Sequence, residues 1–255
     1  AVILKSSGSS NNSKLCIHPI CNLDKSAESS GKWLKSQGYK LSECIIFNTL
    51  PLNHISGFMA LWRAQTWSSE YINISPNLIK NTNDLINFSL SIKNIDKLKR
   101  ITSLVPTQLF RLFHEKDGLN WLKMFDVIWV GGAHLSKDLF ENCRKEKINL
   151  APCYGTTETA AMITSLKPLE FLRGSNNYGS TLEDVQIRIN NDGIIEINSE
   201  RIGYELNRSS TIKRFSNPEG WWESGDYGRI VKDNDIDYLQ VLGRKDNAFH
   251  SGGET

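Results

Sequence analysis

The chain has 255 residues, 39% apolar and 23% charged, and its 30 Lys and Arg against 28 Asp and Glu leave a formal charge of +2. This is a globular composition, with one or two domains by length and enough apolar residues for a real core. No basic block rises above the background, so neither a nucleic-acid surface nor an acidic partner is implied. The five cysteines, Cys16, Cys21, Cys44, Cys143 and Cys153, are odd in number, scattered and without a C-x2-C pair, the pattern of reduced thiols in a cytosol. No apolar run approaches the roughly 18 residues of a membrane helix, so the expected location is cytoplasmic.

In chain order, Ala1 to Leu4 reads as a buried-type strand that runs into the loop Ser6-Ser7-Gly8-Ser9-Ser10-Asn11-Asn12-Ser13-Lys14. Leu23, Ala27 and Leu34 suit an amphipathic helix, and Cys44 to Asn48 a buried strand. Pro51 and Gly57 frame a polar turn that holds His54, followed by a helix from Phe58 to Trp67 and a loop-rich stretch around Ser75 to Asn83. Ile101 to Val105 reads as a strand, Gln108 to His114 as a helix, Val127 to Val130 as a strand ended by Gly131-Gly132, and Leu139 to Lys147 as a helix. Ile148 to Ala151 then reads as the end of a short strand and Thr159 to Ile163 as the first turns of a helix. About 172 residues thus fit a mainly parallel α/β sheet with flanking helices, whose ligand sites lie at the carboxyl ends of strands. Beyond Gly174, short alternating strands at 185–189, 194–197 and 237–241, separated by Asn-Asp-Gly and Asn-Asp turns, predict a small β-barrel or sandwich.

Four segments carry candidate chemistry. Tyr154-Gly155-Thr156-Thr157-Glu158 combines an aromatic face, a flexible turn, two hydroxyls and a carboxylate at a predicted strand-to-helix turn. Such a turn favours a phosphate and its Mg2+, and it equally suits plain helix capping. The Ser6 to Lys14 loop offers hydroxyl and amide donors and one cation for outer phosphates, or is a solvated loop; it is not a G-x-x-x-x-G-K-[ST] loop. Asp226, after a Gly turn in Glu223-Ser224-Gly225-Asp226, is the acceptor a ribose diol needs or a local turn residue. Gly243-Arg244-Lys245-Asp246 adds a cation and a corner. The Asp233, Asp235 and Asp237 spacing fails as a calcium loop, since Tyr238 stands where Gly is required, and no G-x-S-x-G elbow occurs.

In this order the segments resemble the acyl-adenylate-forming superfamily of acyl-CoA ligases, amino-acid adenylation domains and luciferases. The Ser/Gly loop is similar to its phosphate loop, Leu50-Pro51-Leu52-Asn53-His54 to L-P-L-x-H, Gly131-Gly132-Ala133 to its nucleotide and acyl-pocket loop, and Tyr154 to Glu158 to Y-G-x-T-E. Glu223 to Asp226 is similar to R-T-G-D, Gly243 to Asp246 to the hinge G-R-x-D, and Ser251-Gly252-Gly253-Glu254 to S-G-G-E. Leu52 to Gly57 and Ser103 to Leu109 further resemble the o-succinylbenzoate–CoA ligases of menaquinone and phylloquinone biosynthesis. Asn11 and Ser13 stand where the superfamily usually has Gly and Pro, Ser224 replaces the usual Thr, and Glu223 a common basic residue.

The resemblance implies ATP, Mg2+ and coenzyme A, and a small carboxylate substrate, o-succinylbenzoate, with other aryl or fatty acids and a non-catalytic nucleotide-binding module as rivals. It implies that Tyr154 contacts adenine, that Thr157 meets the α-phosphate with Gly155 and Thr156 among the nucleotide-binding residues, and that Glu158 holds Mg2+. Asp226 and Arg244 meet the ribose, and Ser6, Ser7, Gly8, Ser9, Ser10 and Lys14 wrap the β- and γ-phosphates. His54, Gly132 and Ala133 border the acyl pocket. The implied organisation is an α/β nucleotide- and acyl-binding region at 1–172, a β-rich subdomain at 173–245, and a hinge at 246–255 opening a C-terminal domain that carries a catalytic Lys. On this reading the chain is a piece of a large domain; its oligomeric state is left open.

Overall fold

The computed structural model describes residues 1–6, 14–207, 210–233 and 236–245. Seven strands form its central sheet, in the spatial order Glu70–Asn73, Cys44–Asn48, Lys99–Leu104, Val127–Val130, Leu150–Thr156, Ala161–Ser165 and Ser180–Thr181. The first four pairings are parallel and the last two antiparallel. Helices Ile55–Trp67, Pro106–His114 and Lys137–Lys145 are crossovers between parallel neighbours, which parallel pairing requires. The residues explain their placement: Pro106 opens its helix at the first position, where a missing N–H costs nothing, and Ser136 caps the next by accepting from the Leu139 N–H at 3.3 Å.

Both faces of this sheet are buried. Ile45, Phe47, Ile128 and Val130 enter one apolar core with Trp121 and Phe125, while Cys44, Ile46, Val127 and Trp129 enter another with Trp33 and Trp67. Alternate residues of one strand serve opposite cores, so the strands read as unbroken apolar runs. The edge strand Glu70–Asn73 and the helices Thr82–Leu90 and Lys116–Leu122 were outside the sequence expectation; part of the loop-rich 75–83 stretch is a 3-10 turn at Leu78–Lys80.

Three expectations are corrected. The strand at 150 continues to Thr156, and residues 157–160 are a reverse turn into the strand Ala161–Ser165, so no helix follows the Tyr154 to Glu158 segment and no helix dipole acts there. Gly155 makes this hairpin close: the pairing register slips between Tyr154 and Gly155, and a Cβ at 155 would lie 2.2 Å from the Ala161 carbonyl oxygen. Ala160 and Ala161 take left-handed φ values of 53° and 79°, and the buried Thr159 hydroxyl bridges the turn, donating to the Ala161 carbonyl at 2.8 Å and accepting from the Thr156 N–H at 3.1 Å.

Second, Val2–Lys5 is not in the parallel sheet. It pairs antiparallel with Leu15–His18, which pairs with Tyr204–Leu206 and through it with Ile212–Arg214. Only Leu4 of the first strand is buried, as an edge strand allows. Sheet membership therefore crosses residue 172 in both directions. Third, Asp226 follows no turn. It lies within the long strand Trp221–Asp233 of a third sheet, ordered Gln186–Ile189, Ile194–Asn198, Trp221–Asp233, Ile236–Arg244, where an irregular register opposite Ile194 and Glu196 and a Gly225 φ of 76° make a bulge. The β-rich part is two four-stranded antiparallel sheets.

The strand Leu15–His18 is fastened to the 157–160 turn. His18, with no exposed surface, places Nε2 2.7 Å from the Thr157 carbonyl, so this nitrogen carries the hydrogen. Burial lowers its pKa below 6.5, with Arg201 adding to the shift and the Thr157 hydrogen bond opposing it.

Gly155→Ala is expected to cost about 1–3 kcal/mol in denaturant unfolding, because backbone rather than a yielding side chain meets the new methyl. Since His18 resists protonation when folded and accepts it when unfolded, its contribution is complete above pH 6.5 and is lost as pH falls below that value. Stability of His18→Gln, measured from pH 8 to pH 5, is expected to fall less steeply than that of the unsubstituted chain.

Candidate active site

The carboxyl ends of Val127–Val130 and Leu150–Thr156 open into a cleft of about 360 Å3. Its lining contains Ser6, Gly132, Ala133, His134, the run Cys153 to Glu158, Tyr178, Ser224, Asp226 and Arg244. Most of the sequence-expected residues are thus brought together from five separate parts of the chain.

At one end, the buried Tyr154 hydroxyl donates to Asp226 Oδ2 at 2.7 Å, and Arg244 Nε lies 3.5 Å from Asp226 Oδ1. Asp226 and Arg244 face each other in the strand pairing, and the Asp226 N–H donates to Ser224 Oγ at 3.1 Å. Burial, and then the Asp226 carboxylate, hold the Tyr154 phenol well above its usual range, so it remains a donor. The Asp226 carboxylate is fixed by a phenol and a guanidinium at the cleft wall, an oriented acceptor for hydroxyl groups.

At the other end stand Thr156, the buried Thr157 and the half-buried Glu158. The Thr157 carbonyl is taken by His18 and the Glu158 carbonyl by the Gly203 N–H at 2.9 Å, which leaves their side chains to the cleft. Among the described residues the Glu158 carboxylate has no ion pair, and no three His, Cys, Asp or Glu residues form a metal cluster. One carboxylate is what a Mg2+ held mainly by phosphate oxygens needs. Ser6 lines the cleft mouth, its hydroxyl accepting from the Lys14 N–H at 3.1 Å and its own N–H donating to the Lys14 carbonyl at 2.8 Å. The Lys14 ammonium is not part of the lining: it lies 3.7 Å from Glu205 and 5.9 Å from the Phe215 ring centre. Ser7, Gly8, Ser9, Ser10, Asn11, Ser13, Asp246 and the Ser251 to Glu254 segment lie outside the described residues.

A second cavity, of about 420 Å3, shares Gly132, Cys153, Gly155, Thr156 and Thr157 with the first. Leu50, Pro51, Ile55, Leu104, Val105, Trp129 and Met162 make it largely apolar, and the exposed His54, at the start of helix Ile55–Trp67, stands at its edge. Arg63 belongs to this cavity and escaped the sequence reading. It is 3% exposed, its Nε donates to Ser30 Oγ at 3.0 Å, and its guanidinium lies 5.1 Å from the Trp129 ring centre. Its Nη2 is buried without a partner among the described residues, and burial lowers its pKa to about 10, which leaves it charged at neutral pH. The available signal was helical spacing: Met59, Arg63 and Trp67 fall on one buried stripe. Cys153, on the wall between the cavities, is no nucleophile, because burial pushes its thiol up to about 12. A charged groove of about 480 Å3 at Lys25, Lys32, Glu183 and Asp184 is separate, and its lysines are paired with Glu200 and Glu183.

Two cavities meeting at Gly155 to Thr157 can bring a carboxylic acid and a nucleotide phosphate to the same turn. The 2-succinylbenzoate–CoA ligase of Listeria innocua is 31% identical over 154 residues, 60% of this chain and 32% of that protein. The ligase of the same name from Escherichia coli K12 is 28% identical over 213 residues, 81% of this chain and 40% of that one. An o-succinylbenzoate coenzyme A synthetase from Bacillus subtilis, solved with AMP, matches the fold with a TM-score of 0.77 at 26% identity, over 99% of this chain and 51% of that chain. The chain therefore spans about half the length of that solved protein and less than half of these curated relatives. Residues 1–203 match the model of the AMP-binding enzyme family, and with most of its length so matched the chain belongs to that family.

Proposed function

We propose that this chain is the nucleotide- and acid-binding part of an AMP-forming acid–CoA ligase whose acid is o-succinylbenzoate. The observation that carries the substrate is Arg63, a buried cation with an unpartnered Nη2 in a cavity otherwise lined largely by apolar side chains, next to Thr157. A buried charge without a partner is costly, and an aromatic acid with a second carboxylate supplies one while filling the apolar walls. A fatty acid or simple aryl acid, with its single carboxylate at the adenylating turn, leaves Arg63 unpaired.

The cleft fits MgATP in the same terms. Tyr154 offers a ring face to adenine, Asp226 accepts from the ribose hydroxyls with Arg244 beside it, Thr157 donates to the α-phosphate, and Glu158 reaches the phosphate-bound cation. Mg2+ supplies neutralisation of phosphate charge. A carboxylate oxygen attacks the α-phosphorus, the bond to pyrophosphate breaks, and the sulfur of coenzyme A then attacks the acyl carbon as AMP leaves. The chain's own contribution is orientation and fixed dipoles rather than a protein nucleophile. The 2-succinylbenzoate–CoA ligases and the Bacillus subtilis enzyme solved with ATP and magnesium ion support this reading.

In the complete gene product, o-succinylbenzoate is expected to drive exchange of pyrophosphate into ATP, and exchange with no acid at all would leave a nucleotide-binding module instead. Glu158→Gln is expected to lower that exchange by about 100-fold or more, the scale of losing one preorganised charge contact; an unchanged rate removes Glu158 from its role. Arg63→Met is expected to raise the KM for o-succinylbenzoate about 10- to 100-fold, the worth of a hydrogen bond between charged groups, while monocarboxylic acids are little affected. Equal losses for both kinds of acid would refute the assignment of Arg63.

A further inference from the structure

We propose that His18 is a positioning residue for the adenylating turn: its ring holds the Thr157 carbonyl and so fixes where the Thr157 hydroxyl and the Glu158 carboxylate stand relative to Ser6. The inference rests on the reading of Thr157 and Glu158 as the phosphate and Mg2+ groups.

The strand Leu15–His18 begins beside Lys14, whose backbone is closed onto Ser6 by two hydrogen bonds, and ends four residues later at the turn. Alternation puts Cys16 and His18 on its buried face. That face looks at the turn: Nε2 of His18 donates to the Thr157 carbonyl at 2.7 Å, and the Glu158 charge adds to burial in raising the Cys16 thiol. One rigid strand therefore links the mouth of the cleft to its phosphate end.

The turn needs such a hold. Ala160 and Ala161 sit in left-handed backbone that residues with a Cβ avoid, a state that persists only where the surroundings over-determine it. Ser26 Oγ donates to the Ala160 carbonyl at 2.5 Å and the Gly203 N–H to the Glu158 carbonyl at 2.9 Å. His18 is the anchor on Thr157 itself. Its approach depends on Gly203, because a Cβ there would lie 2.7 Å from His18 Cε1. His18 is not among the residues lining either cavity, so it acts through Thr157 and not by touching a ligand.

The test compares His18→Leu, which removes the donor, with His18→Gln, which keeps an N–H on a side chain of similar reach. In His18→Leu, hydrogen exchange at the amides of residues 157–161 is expected to quicken about tenfold without nucleotide. In the complete gene product, kcat for o-succinylbenzoate-dependent pyrophosphate exchange is expected to fall about tenfold with the KM for the acid unchanged. His18→Gln is expected to restore most of both. If His18→Leu does not fold, His18→Asn, whose amide is too short to reach the carbonyl, takes its place with the same expectation. Amide exchange and kcat at unsubstituted levels in the donorless variant overturn the proposal, and so does an equal loss in the Gln variant, which marks a role of shape alone. If the unsubstituted protein exchanges pyrophosphate with no acid, the functional reading falls, and the amide exchange of the three variants still decides whether His18 holds the turn.

Discussion

The strand Leu150–Thr156 is the constraint on which the rest depends, because it must be buried on both faces and yet deliver polar groups at its end. Leu150 belongs to one core and Ala151 and Tyr154 to the other, and its parallel partner stops at Val130, opposite Pro152. From Cys153 onward the strand takes an antiparallel partner, Ala161–Ser165, instead of a further crossover helix. That change of partner creates the reverse turn, and the end of the parallel neighbour creates the hollow beside it. Cleft and turn are thus two results of one mismatch in strand length.

Charge inside this molecule is kept where it is held. Arg201 has no exposed surface; its Nε lies 3.1 Å from Asp184, and its Nη2 donates to the Met162 carbonyl, pinning the strand behind the turn. Asp226 stands between a phenol and a guanidinium from two different elements. Arg63 and Arg201 each keep a buried guanidinium nitrogen without an acceptor among the described residues, and of the two Arg63 is the one that lines the apolar cavity.

Much of the fold was legible because burial on both sides erases alternation: Cys44–Asn48 and Val127–Val130 are short unbroken apolar runs bounded by polar or glycine residues. The same property misled at Ala160 to Ile163, where four apolar residues suit a helix and a buried strand equally, and only the register slip at Gly155 decides. The edge placement of Val2–Lys5 was unreadable because its partners lie at Leu15–His18 and, beyond them, near residue 205. Tyr154, Thr157, Glu158, Asp226 and Arg244 were legible as members of one cleft, since order along the chain carried them. Arg63 and His18 were not, because their meaning lies in Ser30, Trp129, Thr157 and Gly203, which only folding brings near. Lys14 shows the converse: a cation in a plausible loop turns instead to Glu205.

The contact between His18 and Thr157 spans 139 positions of sequence, and the sheet behind it pairs residues 15–17 with 204–206. Contacts of that separation close late, because the loop entropy must be spent before they return any stabilisation, whereas the parallel units between 44 and 156 form from nearer neighbours. The turn that carries Thr157 and Glu158 therefore acquires its final shape among the last parts of the chain. A folding intermediate with a complete central sheet would still be blind to its ligand, and binding competence reports the closing of a contact across 139 positions.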